Sequence, residues 1–325
     1  MDRTLWESYK ERFLSEDGRI IDRANRQISH SEGQGYGLIL ALSAGDRPTF
    51  EKILEWTRNN LQVRGKDRLL AWSWGQRPNG QWDVLDFNNA TDADLLVAYA
   101  LMEASERWNE PSFRSAAMSL VQDIKKHLLV DHKGMPILLP GYYGFDKEHG
   151  LVVNLSYYVY PALEVLSRAD DQSLWQRVIR GGLGLLQKAA RTPWNLPPDW
   201  ILIRSDGIEV YGERSSRFGY EAIRIPLYLA WAGHKEALTA WSDVLNWFDK
   251  TGTLPLWVDV VDPAVSVAEA PGGFYAVWAA VADRMDRPKT AKALWDRAQE
   301  KILQEKNDYY SSTLYLLSLI NLEKR

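Results

Sequence analysis

Apolar residues recur along most of this chain at the spacing of an α-helix, and strict alternation of apolar and polar residues is scarce. The pattern predicts about twelve helices. Their approximate spans are 4–14, 33–44, 49–60, 93–108, 111–128, 155–167, 173–190, 220–232, 236–250, 273–284, 288–304 and 309–322. Pro48, Pro111 and Pro288 stand at predicted helix starts, where proline is favoured. The fold is therefore predicted to be all-α.

The connections between predicted helices alternate in length. Short turns such as SAGDRPTF join the two helices of a pair. Successive pairs are joined by long segments rich in Gly, Pro, Trp and Asp, at 61–91, 129–154, 191–219 and 251–272. Long connections commonly carry function, and this alternation favours a closed ring of helical hairpins with the long loops on one face. A stacked solenoid is the competing architecture, but it would require a repeat of fixed period, which we do not find.

No linker, low-complexity tract or shift in composition divides the chain, so residues 1–325 are predicted to form one domain. Apolar residues make up 46% of the sequence and charged residues 25%, which suits a large core. The 43 acidic and 39 basic residues are well mixed and leave no basic stripe for nucleic acid. No apolar run approaches the roughly 20 residues needed to cross a bilayer, so no membrane span is predicted.

Residue types that bind metals are absent or dispersed. The chain has no cysteine, which excludes disulfides and thiolate zinc sites and leaves the redox compartment open. Its five histidines lack the paired spacing of a metal site. We predict neither a metal nor another cofactor.

The aromatic content is unusual, with 15 Trp and 15 Tyr against 8 Phe. Rings with a polar handle suit surfaces that are apolar on one side and wet on the other, as the face of a sugar requires. Three tryptophans fall in the polar loop AWSWGQRPNGQWDV and are predicted to stack on sugars: Trp72, Trp74 and Trp82. Three others lie in periodic apolar segments and are predicted to pack in the core: Trp241, Trp247 and Trp278.

Two segments crowd polar and acidic residues at the start of an apolar helix. They are HSEGQGYGLILALSAGD, which contains Glu32, and WDVLDFNNATDADLLVAYAL, which contains Asp92 and Asp94. A single such acid is explained by the helix dipole, which favours negative charge in the first turn. Two segments of the same form suggest a shared site. Asp94 projects about 200° around the helix from Asp92, so we predict a structural role for it.

Several motifs occur in the order found in the family 8 glycoside hydrolases, and the chain resembles that family. They span about 14–226 and include SEGQGYG, RLLAWSWG, NNATDADLL, LLPGYYGF, PPDW and YEAIRIP, with DYYSSTLYLLSL further on. The resemblance is greatest to the endoglucanases that accompany bacterial cellulose synthesis. It implies an (α/α)6 barrel of six inner and six outer helices, a groove for a β-1,4-linked glucan, and hydrolysis with inversion at the anomeric carbon.

The resemblance also implies roles for three acidic residues. Glu32 matches the general acid, and Asp92 matches the aspartate that holds the distorted sugar at the cleavage point. Glu221 occupies the position of the general base, where the endoglucanase branch has Asp. The longer side chain leaves three alternatives: Glu221 substitutes for the Asp, another base such as Glu213 is recruited, or the protein binds glucan with little catalysis.

Further residues are predicted to contact substrate or support the acids. Tyr36 lies one turn after Glu32 on the same helix face, where it either orients Glu32, contacts sugar or simply packs. Tyr157 and Tyr309 are candidate groove-wall hydroxyls. Arg224, three residues after Glu221, shares its face and is predicted to hold that carboxylate ionised. The roles of Asp199 and Trp200 in PPDW stay open between substrate contact and fixing a loop.

The predicted function is therefore an inverting endo-β-1,4-glucanase acting on cellulose-type glucan. Alternatives are a weakly catalytic glucan-binding protein, or the same fold acting on chitosan, lichenan or xylan. Substrates of this size lie outside the cytoplasm, so a periplasmic or secreted location is expected, although no export signal precedes MDRTLWESYK. A functional association with a cellulose synthase complex is a further expectation.

Overall fold

Two concentric layers of helices make up the computed structural model, which describes residues 2–262 and 264–323. Thirteen α-helices are present in these residues: α1 (Arg3–Phe13), α2 (Ser31–Ala44), α3 (Arg47–Asn60), α4 (Thr91–Trp108), α5 (Pro111–Leu128), α6 (Tyr160–Ala169), α7 (Gln172–Ala189), α8 (Arg224–Ala232), α9 (Lys235–Thr239), α10 (Ser242–Thr251), α11 (Gly272–Arg284), α12 (Pro288–Gln304) and α13 (Tyr309–Glu323).

The inner layer is a closed ring of six helices. In order around the ring they are α2, α4, α6, α8, α11 and α13, and α13 returns to contact α2. All residues at 33–42, 91–102 and 272–282 are buried, which is why these segments are apolar almost throughout, with buried polar exceptions such as Gln34, Asp92 and Asp94.

The outer layer consists of α1, α3, α5, α7, α10 and α12, each with one apolar face. In α3 the buried residues include Phe50, Ile53, Leu54 and Trp56, while the opposite face is polar. Proline stands at the first or second position of α3, α5 and α12, as predicted. Six inner and six outer helices form an (α/α)6 barrel, and the predicted all-α class is confirmed.

The long connections fold into small antiparallel sheets that the sequence did not predict. In the part of the chain that the structure describes, the twelve strands are β1 (Ser29–His30), β2 (Ser73–Gln76), β3 (Trp82–Asp86), β4 (Leu129–His132), β5 (Met135–Leu138), β6 (Asp146–Lys147), β7 (Gly150–Val153), β8 (Ile201–Ile203), β9 (Ile208–Val210), β10 (Arg217–Phe218), β11 (Val258–Asp259) and β12 (Ala264–Val265). The sheet orders are β1-β2-β3, β4-β5, β6-β7-β8-β9 and β10-β11-β12.

Three of these sheets join one long loop to another. Ser29 pairs with Trp74, Leu151 with Ile203, and Phe218 with Val258. Each pair links segments that lead into different inner helices. The loops at this end of the barrel are therefore held together by backbone hydrogen bonds.

Three predicted helices differ from the observed ones by more than two residues. The segment predicted as 220–232 is a turn until α8 begins at Arg224. The segment 236–250 divides into α9 and α10, because Trp241 turns into the core and its Nε1 donates to the carbonyl of Asn195 at 3.0 Å. The segment 155–167 begins as the 3₁₀ turn Leu155–Tyr157 before α6.

The predicted core tryptophans are placed as follows. Trp241 and Trp278 are buried, whereas Trp247 is half-buried and its ring lies 5.0 Å from that of Trp194. Within residues 2–262 and 264–323, no helix has the length and apolar character to cross a membrane.

Candidate active site

The candidate site lies at the end of the barrel where the inner helices begin. Glu32 and Asp92 stand in the first turns of α2 and α4, and Arg224 is the first residue of α8. Backbone N–H groups at a helix N-terminus carry partial positive charge, which favours carboxylates there. The two acidic segments do form one site.

Arg224 occupies the centre of this site and is buried. Its Nη1 donates to Glu32 Oε2 and, at 2.7 Å, to Asp92 Oδ2. Its Nη2 donates to Glu221 Oε2 and, at 2.9 Å, to Ser156 Oγ. Because Glu32 and Glu221 contact the two terminal nitrogens of one guanidinium, their bonded oxygens lie within about 8 Å of each other.

Burial sets the protonation of this cluster. Burial raises the pKa of Glu32, the charge of Arg224 opposes that shift, and the charge of Glu221 adds to it. Burial also raises the pKa of Asp92 well above its usual range, again against Arg224. Burial would lower the pKa of Arg224, but the carboxylates of Glu32 and Glu221 outweigh it and raise the pKa, so the guanidinium stays charged. The site thus favours a protonated carboxyl beside a permanent cation.

Glu221 lies in the turn that precedes α8 and is the most exposed acid of the cluster, with 36% of its side chain accessible against 20% for Glu32. Asn154 Nδ2 donates to Glu221 Oε2 at 3.1 Å. The predicted contact between Glu221 and Arg224 is present, although it is made across a turn and not on a regular helix. An accessible carboxylate in this position can contact a water molecule.

Asp94 points away from the cluster, as predicted. Its Oδ1 accepts the N–H of Leu70 at 2.9 Å and its Oδ2 accepts from Asn89 Nδ2 at 2.7 Å. Asp94 therefore fixes the long loop that precedes α4.

Glu213, the alternative base, lies apart from the cluster. It is exposed, and its carboxylate accepts a hydrogen bond from the hydroxyl of Tyr211. That hydroxyl also accepts from Lys147 Nζ at 2.7 Å. The geometry therefore favours Glu221 over Glu213 as the residue opposite Glu32.

The three loop tryptophans have different environments. Trp72 and Trp82 are exposed, whereas Trp74 is half-buried and packs against the core. Trp74 and Trp82 stack with ring centroids 5.2 Å apart, and the guanidinium of Arg19 lies about 5 Å from both rings. Trp72 stacks on the ring of His30, two residues before Glu32. Trp72 and Trp82 are available to a ligand, and Trp74 supports Trp82.

Burial decides the roles of three residues that were predicted to contact substrate or support the acids. Tyr36 is fully buried below the site, and its hydroxyl bonds to that of Tyr228 at 2.7 Å. Tyr309 is 2% exposed and its hydroxyl lies against the backbone of Gly33. Arg224 is enclosed by protein acceptors and organises the carboxylates from within. Tyr157 is half-buried, with its ring 5.5 Å from the Arg224 guanidinium, and remains a candidate for the groove wall.

Four residues of the site were missed from the sequence. Asn154 and Ser156 bind Glu221 and Arg224, and their only signal was their place in a long polar loop, NLSYY. The hydroxyl of Tyr310 donates to the carbonyl of Tyr220 at 2.7 Å, beside Glu221. His30, with its Nε2 3.6 Å from Asp22, directly precedes α2. The contacts of Asn154, Ser156 and Tyr310 join segments that are far apart in the chain.

Comparison with known proteins identifies the family. The family model described as "Glycosyl hydrolases family 8" matches residues 2–324. The chain belongs to glycosyl hydrolase family 8. The resemblance seen in the sequence is thereby confirmed, and the protein is a glycoside hydrolase.

Two named relatives match most of the chain. A probable endoglucanase from Novacetimonas hansenii is 35% identical over 321 residues, which cover 97% of this chain and 89% of the relative. The endoglucanase of Cellulomonas uda is 35% identical over 277 residues, covering 85% and 76%.

Solved family 8 structures share the fold. The endoglucanase of Klebsiella pneumoniae has a TM-score of 0.87 at 32% identity, covering 99% of this chain and all of the other (100%). The endo-β-1,4-glucanase of Acetobacter xylinum has a TM-score of 0.86 at 34% identity, covering 98% and 97%. A cold-adapted family 8 xylanase, at 17% identity and a TM-score of 0.79, shares the fold.

Proposed function

We propose that this family 8 hydrolase is an endo-β-1,4-glucanase that cleaves cellulose-type glucan with inversion. The observation that carries the proposal is the convergence of Glu32, Asp92 and Glu221 on Arg224 at the open end of the barrel. The proteins reported above that match most of the chain at 32–35% identity are named endoglucanases, which supports the choice of substrate.

Glu32 is assigned as the general acid. A leaving alkoxide must be protonated as the glycosidic bond breaks, and a carboxyl with a raised pKa retains its proton near neutral pH. Burial raises the pKa of Glu32, against the opposing effects of the Arg224 charge and of the hydrogen bond with Asp92. Asp92, buried beside Glu32 on the same guanidinium nitrogen, is assigned to hold the distorted sugar at the cleavage point.

Glu221 is assigned as the general base. In an inverting enzyme the base activates a water on the sugar face opposite the acid, with the two carboxyl groups about 6.5–9.5 Å apart. The two oxygens that bind Arg224 lie within about 8 Å of each other, which is compatible with that separation. The extra methylene of Glu relative to Asp is compatible with this, because Asn154 and Arg224 hold the carboxylate from two sides.

Exposed aromatic side chains near the site support a polymeric substrate. Trp72, Trp82, Phe87, Tyr142 and Tyr143 are all exposed and belong to two neighbouring loops. The two loops are tied together, since the Tyr143 hydroxyl donates to Asp86 at 3.1 Å. Aromatic faces at intervals along a surface suit successive sugars of one chain.

We further propose that the enzyme acts outside the cytoplasm, in the periplasm or as a secreted protein. A polymer such as cellulose is found there, and the closest resemblance of the sequence motifs is to endoglucanases that accompany cellulose synthesis. A functional association with a cellulose synthase complex is part of this proposal. Fractionation of cells that express the native gene, followed by immunoblotting, tests the location.

The proposed activity is tested by measuring reducing ends released from carboxymethylcellulose, together with binding of cello-oligosaccharides. Wild type is expected to release reducing ends, and Glu32→Gln to bind with unchanged affinity and release almost none. Binding without release by the wild type would support instead a weakly catalytic glucan-binding protein. Release from chitosan or xylan but not from carboxymethylcellulose would reassign the substrate.

A further inference from the structure

Asp199, in the PPDW motif, holds a loop with both of its carboxylate oxygens. Its Oδ1 accepts the backbone N–H groups of Gly219 and Ala222, each at 2.9 Å, and its Oδ2 accepts from Ser215 Oγ at 3.0 Å. The side chain is buried, with 7% of the residue exposed. A buried carboxylate with three donors is a rigid anchor.

The two anchored amides bracket Glu221 along the chain. Gly219 comes two residues before it and Ala222 one residue after it, so a single oxygen of Asp199 closes the turn that presents Glu221. The Asp199 backbone adds to this, since its N–H donates to the carbonyl of Arg217 at 2.6 Å. A Cβ at Gly219 would lie 3.2 Å from Asp199 Oδ2, a close contact that would require the carboxylate to shift by a few tenths of an ångström.

The carboxylate of Glu221 and the backbone around Glu221 are thus held by different residues. Arg224 and Asn154 contact its carboxylate, whereas Asp199 contacts only the backbone around it. The turn at 220–223 is not part of α8 and has one backbone bond of the helical type, from the Ile223 N–H to the carbonyl of Gly219 at 3.0 Å. The N–H groups of Gly219 and Ala222 are held by Asp199 instead, so the shape of the turn depends on that anchor as well.

We propose that Asp199 is a positioning residue for hydrolysis, which fixes the backbone of residues 219–222 so that Glu221 meets the water opposite Glu32. This inference rests on the proposed function. The opposing interpretation is that Asp199 is itself the base. Burial raises the pKa of Asp199 to about 6 and Glu221 adds to the shift, yet its oxygens are occupied by protein donors.

Two substitutions separate these interpretations. In Asp199→Asn the amide oxygen can still accept both backbone N–H groups, and the amide nitrogen can donate to the Ser215 hydroxyl. Asp199→Ala removes all three bonds. We expect Asp199→Ala to lower kcat on carboxymethylcellulose about 100-fold with KM little changed, and Asp199→Asn to stay within about ten-fold of wild type. Equal and severe losses in both variants would overturn the proposal in favour of proton transfer by Asp199.

Hydrogen exchange provides a readout that does not depend on activity. In Asp199→Ala the amides of Gly219 and Ala222 should exchange faster than in wild type, and in Asp199→Asn they should not. Unchanged exchange in Asp199→Ala would overturn the positioning role. If wild type itself hydrolyses no glucan, the proposed function fails, while the exchange result still decides whether Asp199 holds the turn.

The matched control is Asp170→Ala, which removes a carboxylate that holds other side chains far from the turn at 219–222. Asp170 accepts from Trp175 Nε1 at 2.9 Å and pairs with Lys125 at 2.8 Å, between α5, α6 and α7. Asp170→Ala should lower thermal stability and leave kcat unchanged. A loss of kcat in Asp170→Ala equal to that in Asp199→Ala would show that general destabilisation accounts for the effect and would overturn the proposal.

Discussion

Arg224 shows how much of this site depends on one side chain. The sequence predicted its contact with Glu221 from a spacing of three residues. Its bonds to Glu32 and Asp92 join residues from three inner helices, and no local pattern reports contacts of that range. A lysine could not replace it, because only the planar guanidinium offers two terminal nitrogens to several acceptors at once.

At Glu32, removing the acidic proton should abolish turnover without disturbing the fold. General acid catalysis contributes about 10²- to 10⁴-fold, so Glu32→Gln should lose activity on unactivated glucan by that factor while keeping oligosaccharide affinity. Steady-state rates and isothermal titration calorimetry measure the two. More than about a tenth of wild-type kcat in this variant would contradict the assignment.

At Glu221, an external nucleophile distinguishes the base from its alternatives. Glu221→Gln should lose almost all hydrolysis and recover part of its turnover with azide, because the small anion replaces the activated water. Glu221→Asp should keep partial activity. Glu213→Gln is the matched control and should behave as wild type. An active Glu221→Gln together with an inactive Glu213→Gln would transfer the role to Glu213.

The pH dependence of the reaction follows from the coupling between these acids. Glu32 must be protonated to act, so kcat/KM should fall as pH rises through the pKa of Glu32, which burial places above its ordinary value of 4.5. Glu221 raises that pKa further through its negative charge. In Glu221→Gln, assayed with azide, the alkaline limb should therefore move to lower pH. A limb at unchanged pH would mean that the two groups are not coupled.

At the scale of secondary-structure elements, the loop that precedes α4 depends on the buried carboxylate of Asp94. Asp94→Ala leaves the N–H of Leu70 and the amide of Asn89 without an acceptor, and each buried unsatisfied donor costs about 1–3 kcal/mol. The free energy of unfolding, from urea titration, should fall accordingly. Asp131→Ala, which removes one exposed turn bond to Gly134, should change it by less than about 1 kcal/mol. Equal effects would contradict the anchoring role.

Substitution of an exposed loop tryptophan should weaken substrate binding without lowering the free energy of unfolding. Trp82→Ala should weaken cello-oligosaccharide binding roughly 2- to 10-fold, since an aromatic contact contributes about 0.5–1.5 kcal/mol, with little effect on stability. Trp56, which is buried and meets the ring of Trp74 edge-on, is the control. Trp56→Ala should cost about 3–5 kcal/mol in unfolding free energy. A comparable loss in Trp82→Ala would indicate a packing role for Trp82.

The helices were predictable and most of the loop structure was not. Apolar periodicity located the helix pairs, because every helix buries at least one face. The strands escaped detection because they contain two to five residues and pair with distant loops, as Ser29 does with Trp74. Helix α8 begins later than predicted, after a turn at 219–222. Asp199 holds that turn through the N–H groups of Gly219 and Ala222, and it is remote from the turn in the sequence.

At the scale of the whole molecule, the barrel helices form the buried core, whereas the acids of the site stand near the starts of the inner helices. Motifs and family resemblance located Glu32, Asp92 and Glu221 in the sequence. In the structure, each stands near the start of an inner helix. The structure adds why they meet: a closed ring brings those starts together, and the sheets between loops fix their relative positions. Tyr309 was wrongly predicted to line the groove, and burial decides Tyr36 in favour of packing, one of the three roles left open for it. The sequence could not decide these cases, because one helix face can point to the groove or to the core below it.

The central claim, an inverting hydrolysis by Glu32 and Glu221, is tested most directly by proton NMR of the first-formed product. Wild-type enzyme is mixed with a soluble cello-oligosaccharide, and the anomeric signals are followed before mutarotation equilibrates them. The account predicts that the α-anomer appears first from the β-linked substrate, because water attacks the face opposite the leaving group. Initial release of the β-anomer would show retention and would contradict this acid and base pair.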